Sequence, residues 1–306
     1  MKPAAPLLLD ASLAPSAAWV LSEDHGLYLL SEDGRLLAKT ALPLRPRDFL
    51  ALDGAGRALV VLDSPEGPLL SAWTRVGKEA FRVYLGGFLP EESSVPSLAL
   101  GSDDRLFLGA GSRVLCLAQN GQRLWSRDLS GAIAAGPVAD GLGRAALGLA
   151  DGTILVLSPY GETEISYSAG SQIQALSAFA SGAWNAPLRD QGPGSPVLAA
   201  STQGGEVLVL DRRGRLAASQ KPQGGARALA SDGAVLYSLS PTGLLSAWST
   251  GGSLLWQAST GVPSGRISVY AARLIVTGLG KAVSLDVEEE RARSVGHHAT
   301  PSRTIV

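Results

Sequence analysis

A unit of about 40 residues recurs along the chain, and this repetition restricts the fold more than any other feature. Each unit contains an apolar segment, a turn that ends in glycine, and an aromatic or apolar residue four positions after that glycine. Gly121 with Trp125 and Gly252 with Trp256 are the clearest copies, and Phe81 follows its glycine in the same way. The turn glycines are spaced 43, 44, 40, 53 and 38 residues apart, at Gly34, Gly77, Gly121, Gly161, Gly214 and Gly252. A seventh unit covers 281–287, with Glu289 in place of the glycine.

Two further series of turns accompany this one. A second glycine lies eight to ten residues before each turn glycine, and an Asp-Gly, Asp-Asp or Ser-Asp-Gly turn lies further upstream in several units. Glycine and aspartate tolerate the backbone geometry of tight hairpins, so these positions indicate turns between strands. Each unit is therefore predicted to hold four short strands joined by three turns. In the third unit the predicted strands are 95–100, 105–109, 113–118 and 123–129.

The predicted strands are apolar on both sides, as in 114–118, while polar residues gather at the turns. A sheet covered on both faces by other sheets produces this pattern. Stacking the units around an axis covers both faces and leaves only short edges, whereas an open solenoid would need atypical capping units at its ends. The sequence therefore predicts an all-β, seven-bladed β-propeller of four-stranded antiparallel blades. The predicted blades are 1–42, 43–86, 87–130, 131–169, 170–221, 222–260 and 261–294, with 286–294 as the last outer strand and 295–306 as a flexible tail.

The repeat, with its strand, Asn-Gly or Gly-Gly turn and Leu-Trp pair, resembles the pyrroloquinoline-quinone-type (quinoprotein-like) propeller repeat. The resemblance covers about residues 5–290 and is strongest at 111–129 and 243–256. It implies that the residue after the turn docks against the neighbouring blade. The matching positions here are Phe81, Trp125, Ile165 and Trp256, with Ala38 and Ala218 as weak copies. Among members of this group, the chain is similar to the cofactor-free BamB-type scaffolds of outer-membrane assembly. Quinone-dependent members imply a calcium site and a vicinal disulfide, and this chain has a single cysteine, Cys116.

Composition excludes several other classes of function. Lys and Arg total 26 against 27 Asp and Glu, so a generally basic nucleic-acid-binding protein is not expected. The three histidines and one cysteine leave little material for a metal centre. No apolar run approaches the roughly 18–20 residues that cross a bilayer, so no transmembrane segment is predicted. We expect no cofactor and a monomer, placed in the bacterial envelope if a leader is removed and in the cytoplasm otherwise.

Two insertions interrupt the regular spacing, at 86–95 and 181–195. Long loops on a rigid scaffold are where binding residues concentrate, and aromatic and arginine side chains favour the centres of interfaces. Trp184, Arg189 and Phe88 are therefore the predicted partner-binding residues. The sequence predicts a non-catalytic scaffold that binds proteins. The alternative is an enzyme, or a ligand or carbohydrate sensor, that uses the mouth of the central channel, with Tyr160 as a further aromatic candidate.

Overall fold

The chain forms a ring of seven antiparallel sheets, which confirms the predicted all-β, seven-bladed β-propeller. The first strand of each sheet contacts the first strands of both neighbouring sheets, including those of the first and seventh sheets. These seven strands therefore surround the axis, and the ring is closed. The computed structural model describes residues 8–14, 17–22, 24–31, 35–52, 56–88, 97–101, 104–140, 143–179, 196–270, 273–278, 281–287 and 304–305.

Within each sheet the strands follow one another in chain order from the axis outward. The first four blades contain β1 (Leu8–Ala14), β2 (Ala17–Ser22), β3 (Gly26–Ser31) and β4 (Leu36–Ala41); β5 (Arg45–Leu52), β6 (Ala58–Ser64), β7 (Gly67–Trp73) and β8 (Glu79–Tyr84); β9 (Ser97–Leu100), β10 (Leu106–Ala110), β11 (Arg113–Leu117) and β12 (Arg123–Asp128); and β13 (Ile133–Ala139), β14 (Ala145–Leu149), β15 (Thr153–Leu157) and β16 (Thr163–Ser168).

The last three blades repeat this arrangement, and the seventh takes its outer strand from the end of the chain. They contain β17 (Ile173–Ala178), β18 (Pro196–Thr202), β19 (Val207–Asp211) and β20 (Leu216–Gln220); β21 (Ala228–Ser231), β22 (Val235–Leu239), β23 (Leu244–Ser249) and β24 (Leu254–Ser259); and β25 (Arg266–Tyr270), β26 (Arg273–Gly278), β27 (Lys281–Asp286) and β28 (Thr304–Ile305).

The outer strand of the seventh blade corrects the prediction for the end of the chain. Thr304 and Ile305, predicted to lie in a flexible tail, pair with Val283 and Ala282 of β27. β28 follows β27 as the fourth strand of this sheet, and residues 288–294 of the outer strand predicted at 286–294 lie outside the described residues. Residues 288–293 are mostly charged, which strands disfavour, whereas Thr304 and Ile305 are β-branched.

The alternating strand directions give the ring two distinct faces. The turns between the third and fourth strands of each blade, and those between the first and second, lie on one face, which we call the upper face. The turns between the second and third strands, and the connections from one blade to the next, lie on the opposite, lower face. Each insertion can therefore be assigned to a face from the strands that it joins.

The repeated turn glycines have a common geometric role on the upper face. In the turn 118–122 the backbone N–H of Ala118 donates to Gln122 (2.7 Å), the N–H of Gly121 donates to Ala118 (2.9 Å), and Gly121 has a φ of 86°. A φ in this left-handed region is accessible to glycine at little cost. The turns at Gly77, Gly161, Gly214 and Gly252 have the same hydrogen bonds and a positive φ. A β-bulge follows each turn, which is the hairpin geometry that such a glycine permits.

Burial differs between the middle and the outer strands of a blade. The middle strands β10, β14, β19 and β22 are buried along their whole length. The fourth strands alternate between exposed and partly buried residues, as β8 and β12 show. Apolar clusters join each described blade to the next from the first through to the seventh. The core of the molecule therefore lies between the blades, which is why the middle strands are apolar on both sides.

Candidate partner-binding surface

The two insertions predicted to carry the binding residues are attached to different faces of the ring, one to the upper face and the other to the lower face. Phe179 and Pro196, which flank one insertion, belong to the connection between the first and second strands of the fifth blade and lie on the upper face. Phe88 and Ser97, which flank the other insertion, belong to the connection between the second and third blades on the lower face. The two insertions therefore do not start from a common surface.

Of the three predicted contact residues, Phe88 lies in the described part of the chain. Trp184 and Arg189 lie outside the residues that the structure describes. Phe88 is buried, with 8% of its surface exposed, in the apolar cluster between the second and third blades. Its backbone N–H donates to the carbonyl of Leu85 (3.1 Å), which fixes it against the end of β8. Phe88 therefore packs between the two blades, and its predicted role in binding a partner stays a prediction.

The predicted anchor residues lie between blades. Trp125 of β12 packs on Ala145, Leu147 and Leu157 of the fourth blade, and its indole N–H donates to the carbonyl of Pro159 (2.8 Å). A Cβ on Gly161 would lie 3.0 Å from the Trp125 ring, so glycine is needed there for the close approach as well as for its φ. A Cβ on Gly214 would likewise come too close to Ile165, and a Cβ on Gly121 would come too close to Phe81 and Val83. Trp256 packs in the cluster between the sixth and seventh blades, and Gly34 is outside the described residues.

Exposed apolar side chains concentrate on the upper face, a feature that the sequence analysis did not identify. Among the described residues, nine large apolar or aromatic side chains are exposed, and eight of them lie in, or directly after, the turns between third and fourth strands. Val76 and Tyr160 occupy turns and are 85% and 78% exposed. The others are the leading residues of outer strands, namely Leu36, Leu37, Leu124, Leu216, Leu254 and Leu255; the ninth, Tyr84, lies at the lower end of β8.

We call this set the upper rim (Leu36, Leu37, Val76, Leu124, Tyr160, Leu216, Leu254 and Leu255). Single exposed apolar residues are normal on a protein surface, so the informative observation is their restriction to one end of the strands. The signal in the sequence was the leucine that precedes the anchor tryptophan, as in Leu124-Trp125. The repeat motif made this leucine look like a core residue, although the two positions point to opposite sides of the strand.

The described carboxylates of the turns hold the turns in shape. Asp232 accepts backbone hydrogen bonds from Ala234 (2.9 Å) and Val235 (2.7 Å), and Asp151 accepts one from Thr153 (2.8 Å), which lowers the pKa of the Asp151 carboxyl. Tyr28 donates its hydroxyl proton to Asp24 (2.5 Å), and this hydrogen bond is the largest cause that lowers the pKa of Asp24. Such bonds are the usual role of aspartate in turns.

Cys116 and His25 lie in different parts of the fold, one in the core and the other on the surface. Cys116 is fully buried beside Phe107 and Ala145. His25 is an exposed turn residue with a φ of 59°. Among the described residues, no three His, Cys, Asp or Glu side chains lie together in a way that could hold a metal ion. Within the same part of the chain, no helix has the length and apolar character needed to span a membrane.

Comparison with known proteins shows the fold. No protein-family model matches the sequence, and no curated protein matches it. The crystal structure of BamB from Moraxella catarrhalis is similar over 92% of this chain and 83% of its own, with a TM-score of 0.61 and 16% sequence identity. The computationally designed Ika8 protein is similar over 92% of this chain and 96% of its own, with a TM-score of 0.58 and 15% identity. At these identities the likeness is one of fold, and membership of the pyrroloquinoline-quinone-type repeat family stays a prediction.

Proposed function

We propose that this propeller is a non-catalytic scaffold that binds partner proteins through its upper face, in the bacterial envelope. The observation that carries the proposal is the restriction of the exposed apolar side chains to the upper rim. Exposing apolar side chains to water costs free energy. A concentration of such side chains on one face of a protein therefore indicates an interaction site. The setting rests on the predicted resemblance to BamB-type scaffolds, and the fold shared with BamB supports it.

The rigidity of the ring supports the same proposal. Apolar clusters fix each blade to the next from the first to the seventh, and the turn glycines pack directly on the preceding blade. A rigid surface loses little conformational entropy when it binds, which favours association. Asp140, Asp211 and Asp232 of the upper-face turns accept hydrogen bonds from backbone N–H groups of their own turns, so we propose no acid–base chemistry for them.

The test compares the two faces with matched substitutions. The double variant Val76→Ser/Tyr160→Ser removes the two most exposed members of the upper rim, and Pro65→Ser changes an exposed residue of the lower-face turn between β6 and β7. All three side chains are exposed, so the variants are expected to fold as the parent does. In affinity capture from the source organism followed by mass spectrometry, proteins retained by the parent and by Pro65→Ser should be lost from the double variant. Equal retention by all three proteins would contradict the proposal.

A further inference from the structure

A cleft of about 460 Å³ opens at the outer edge of the ring, between the second and third blades. One wall is formed by the end of β8 and the residues that follow it. The other wall is formed by β11 and β12 of the third blade. The first wall includes Val83, Tyr84 and Phe88, and the second includes Leu115, Leu117 and Arg123.

The floor of the cleft is apolar and its rim is polar. Leu115 and Leu117 are buried and belong to the cluster between the two blades, with Val83 packed against it. Across the strand pair, Leu115 lies opposite Ser126 and Leu117 lies opposite Arg123. Opposite residues of an antiparallel pair project from the same face of the sheet, so Ser126 and Arg123 stand beside this floor.

The rim carries more positive than negative charge. The Arg113 guanidinium is paired with Asp128 (2.7 Å) and donates to the carbonyl of Gly87 (3.0 Å). The Arg127 guanidinium is directed away from the cleft and donates to the carbonyl of Gly161 on the fourth blade (2.6 Å). Arg123 donates to the hydroxyl of Ser126, which is neutral, and forms no ion pair with any described residue. Asp128 therefore balances the charge of Arg113, and the charge of Arg123 is left unbalanced by the described residues.

The shape of the cleft suits an extended chain. It follows β11 from Arg113 to Leu117, and five residues of a strand span about 17 Å. Side chains of an extended segment alternate between the two sides, so one set can contact an apolar floor while the other reaches a charged rim. A compact free anion would use the arginines and leave the floor uncovered.

We propose that this cleft binds an extended segment of a partner protein with alternating acidic and aliphatic side chains. An aliphatic side chain covers Leu115 and Leu117, and a carboxylate pairs with Arg123. The inference deepens the proposed scaffold function, on which it rests, by adding a second site of defined chemistry. Its experiment uses purified protein and synthetic peptides, so its failure leaves the upper-rim test intact, and the reverse also holds.

The experiment measures fluorescence anisotropy of two labelled peptides added to the full chain. One peptide alternates glutamate with leucine, and the other alternates lysine with leucine. We expect saturable binding of the acidic peptide and none of the basic one. Arg123→Glu should weaken binding of the acidic peptide by about tenfold, because it replaces an attraction by a repulsion. Arg213→Glu, on an exposed turn of the fifth blade, makes the same change of net charge and should leave binding unchanged.

A second variant tests whether binding needs the open shape of the cleft, independently of its charge. Ser126→Trp places a large side chain over the floor without changing any charge, and it should abolish binding of the acidic peptide. Circular dichroism and thermal unfolding of each variant confirm that it is folded. The proposal is overturned by equal binding of the two peptides, by equal losses in Arg123→Glu and Arg213→Glu, or by unimpaired binding to Ser126→Trp. Competition by inorganic phosphate at concentrations where chloride has no effect would also overturn it, because it would indicate a site for free anions.

Discussion

The junctions between neighbouring blades, which we call seams, are all built from the same repeat. Two neighbouring seams nevertheless differ in how completely they are closed. At the seam between the third and fourth blades, three donors bind the turn of the fourth blade: Arg105 and Trp125 reach the carbonyl of Pro159, and Arg127 reaches that of Gly161. At the seam between the second and third blades, Arg57 reaches the equivalent carbonyl of Gln119 at 3.2 Å.

The residues at two positions of the outer strand account for the difference. The third and fifth residues of β12 are Trp125 and Arg127, and those of β8 are Phe81 and Val83. Phenylalanine has no N–H to donate, and valine is too short to reach the next turn. The first seam is therefore filled and hydrogen-bonded, and the second leaves the cleft open. The repeat therefore sets where the blades meet, while the residues at these two positions decide whether the junction is closed or leaves a groove.

The largest expected effect comes from removing the anchor of the closed seam. Trp125→Ala should lower the free energy of unfolding by about 3 kcal/mol or more, because it removes buried aromatic surface and a hydrogen bond between blades. Phe81→Ala at the open seam should cost less, since Phe81 makes no equivalent hydrogen bond. Urea denaturation followed by circular dichroism measures both values. A loss for Phe81→Ala equal to that for Trp125→Ala would show that the two seams are energetically alike.

An exchange of the two residue pairs should convert one seam into the other. In Phe81→Trp/Val83→Arg, the new guanidinium can donate to the carbonyl of Gly121, as Arg127 does to Gly161, and the indole fills the gap. We expect a gain of about 1 kcal/mol in stability and the loss of acidic-peptide binding. The reverse exchange, Trp125→Phe/Arg127→Val, serves as the control and should lose stability by a similar amount. Retained peptide binding in the first variant would contradict the assignment of the cleft to these two positions.

The smallest expected effect is a dependence on pH at the start of β8. Arg82 donates to Glu79 (2.7 Å), as does Ser71 (2.6 Å), and these hydrogen bonds, led by that of Arg82, lower the pKa of the Glu79 carboxyl below 4.5. A carboxyl with a lowered pKa in the folded state contributes stability above its unfolded pKa, and this is lost as the pH falls through the folded pKa. The contribution should be below about 1 kcal/mol because the ion pair is exposed.

The control for this effect is Glu79→Gln, which cannot ionise. The stability difference between the parent and this variant should be constant above pH 5 and should shrink towards lower pH, as followed by urea denaturation at a series of pH values. A difference that grows on acidification would contradict the assignment. All three residues belong to the second blade, so this ion pair makes no contact across the junction between the second and third blades.

Much of the fold could be predicted because it rests on local requirements that the chain repeats. Gly121 and Gly161 are needed for a positive φ within their own turns, so their spacing reveals the blades without any knowledge of contacts between them. The strand bounds predicted for the third unit agree with β9 to β12 for the same reason. The pairing of β28 was not predicted because it joins Thr304 to a segment of β27 about 20 residues earlier in the chain, and no local pattern specifies such a partner.

The candidate surfaces were less accessible to prediction. Phe88 looked like an exposed aromatic residue because its neighbours in the chain are polar or small, yet it packs on residues of another strand. The cleft depends on Val83, Arg113 and Arg123, which lie up to 40 residues apart and meet only when two blades stack. The upper rim depends on which side of the outer strand each leucine occupies.

The amino-acid sequence is sufficient to specify the number of blades, the positions of the turns and the apolar character of the middle strands, because each of these follows from backbone geometry or burial within one short unit. Which seam is sealed, which leucines are exposed and which arginine borders the cleft become evident only in the folded ring, because these properties arise from side chains of different blades. Packing between blades depends on the size and reach of each pair of facing residues, and a repeat motif leaves that pairing unspecified.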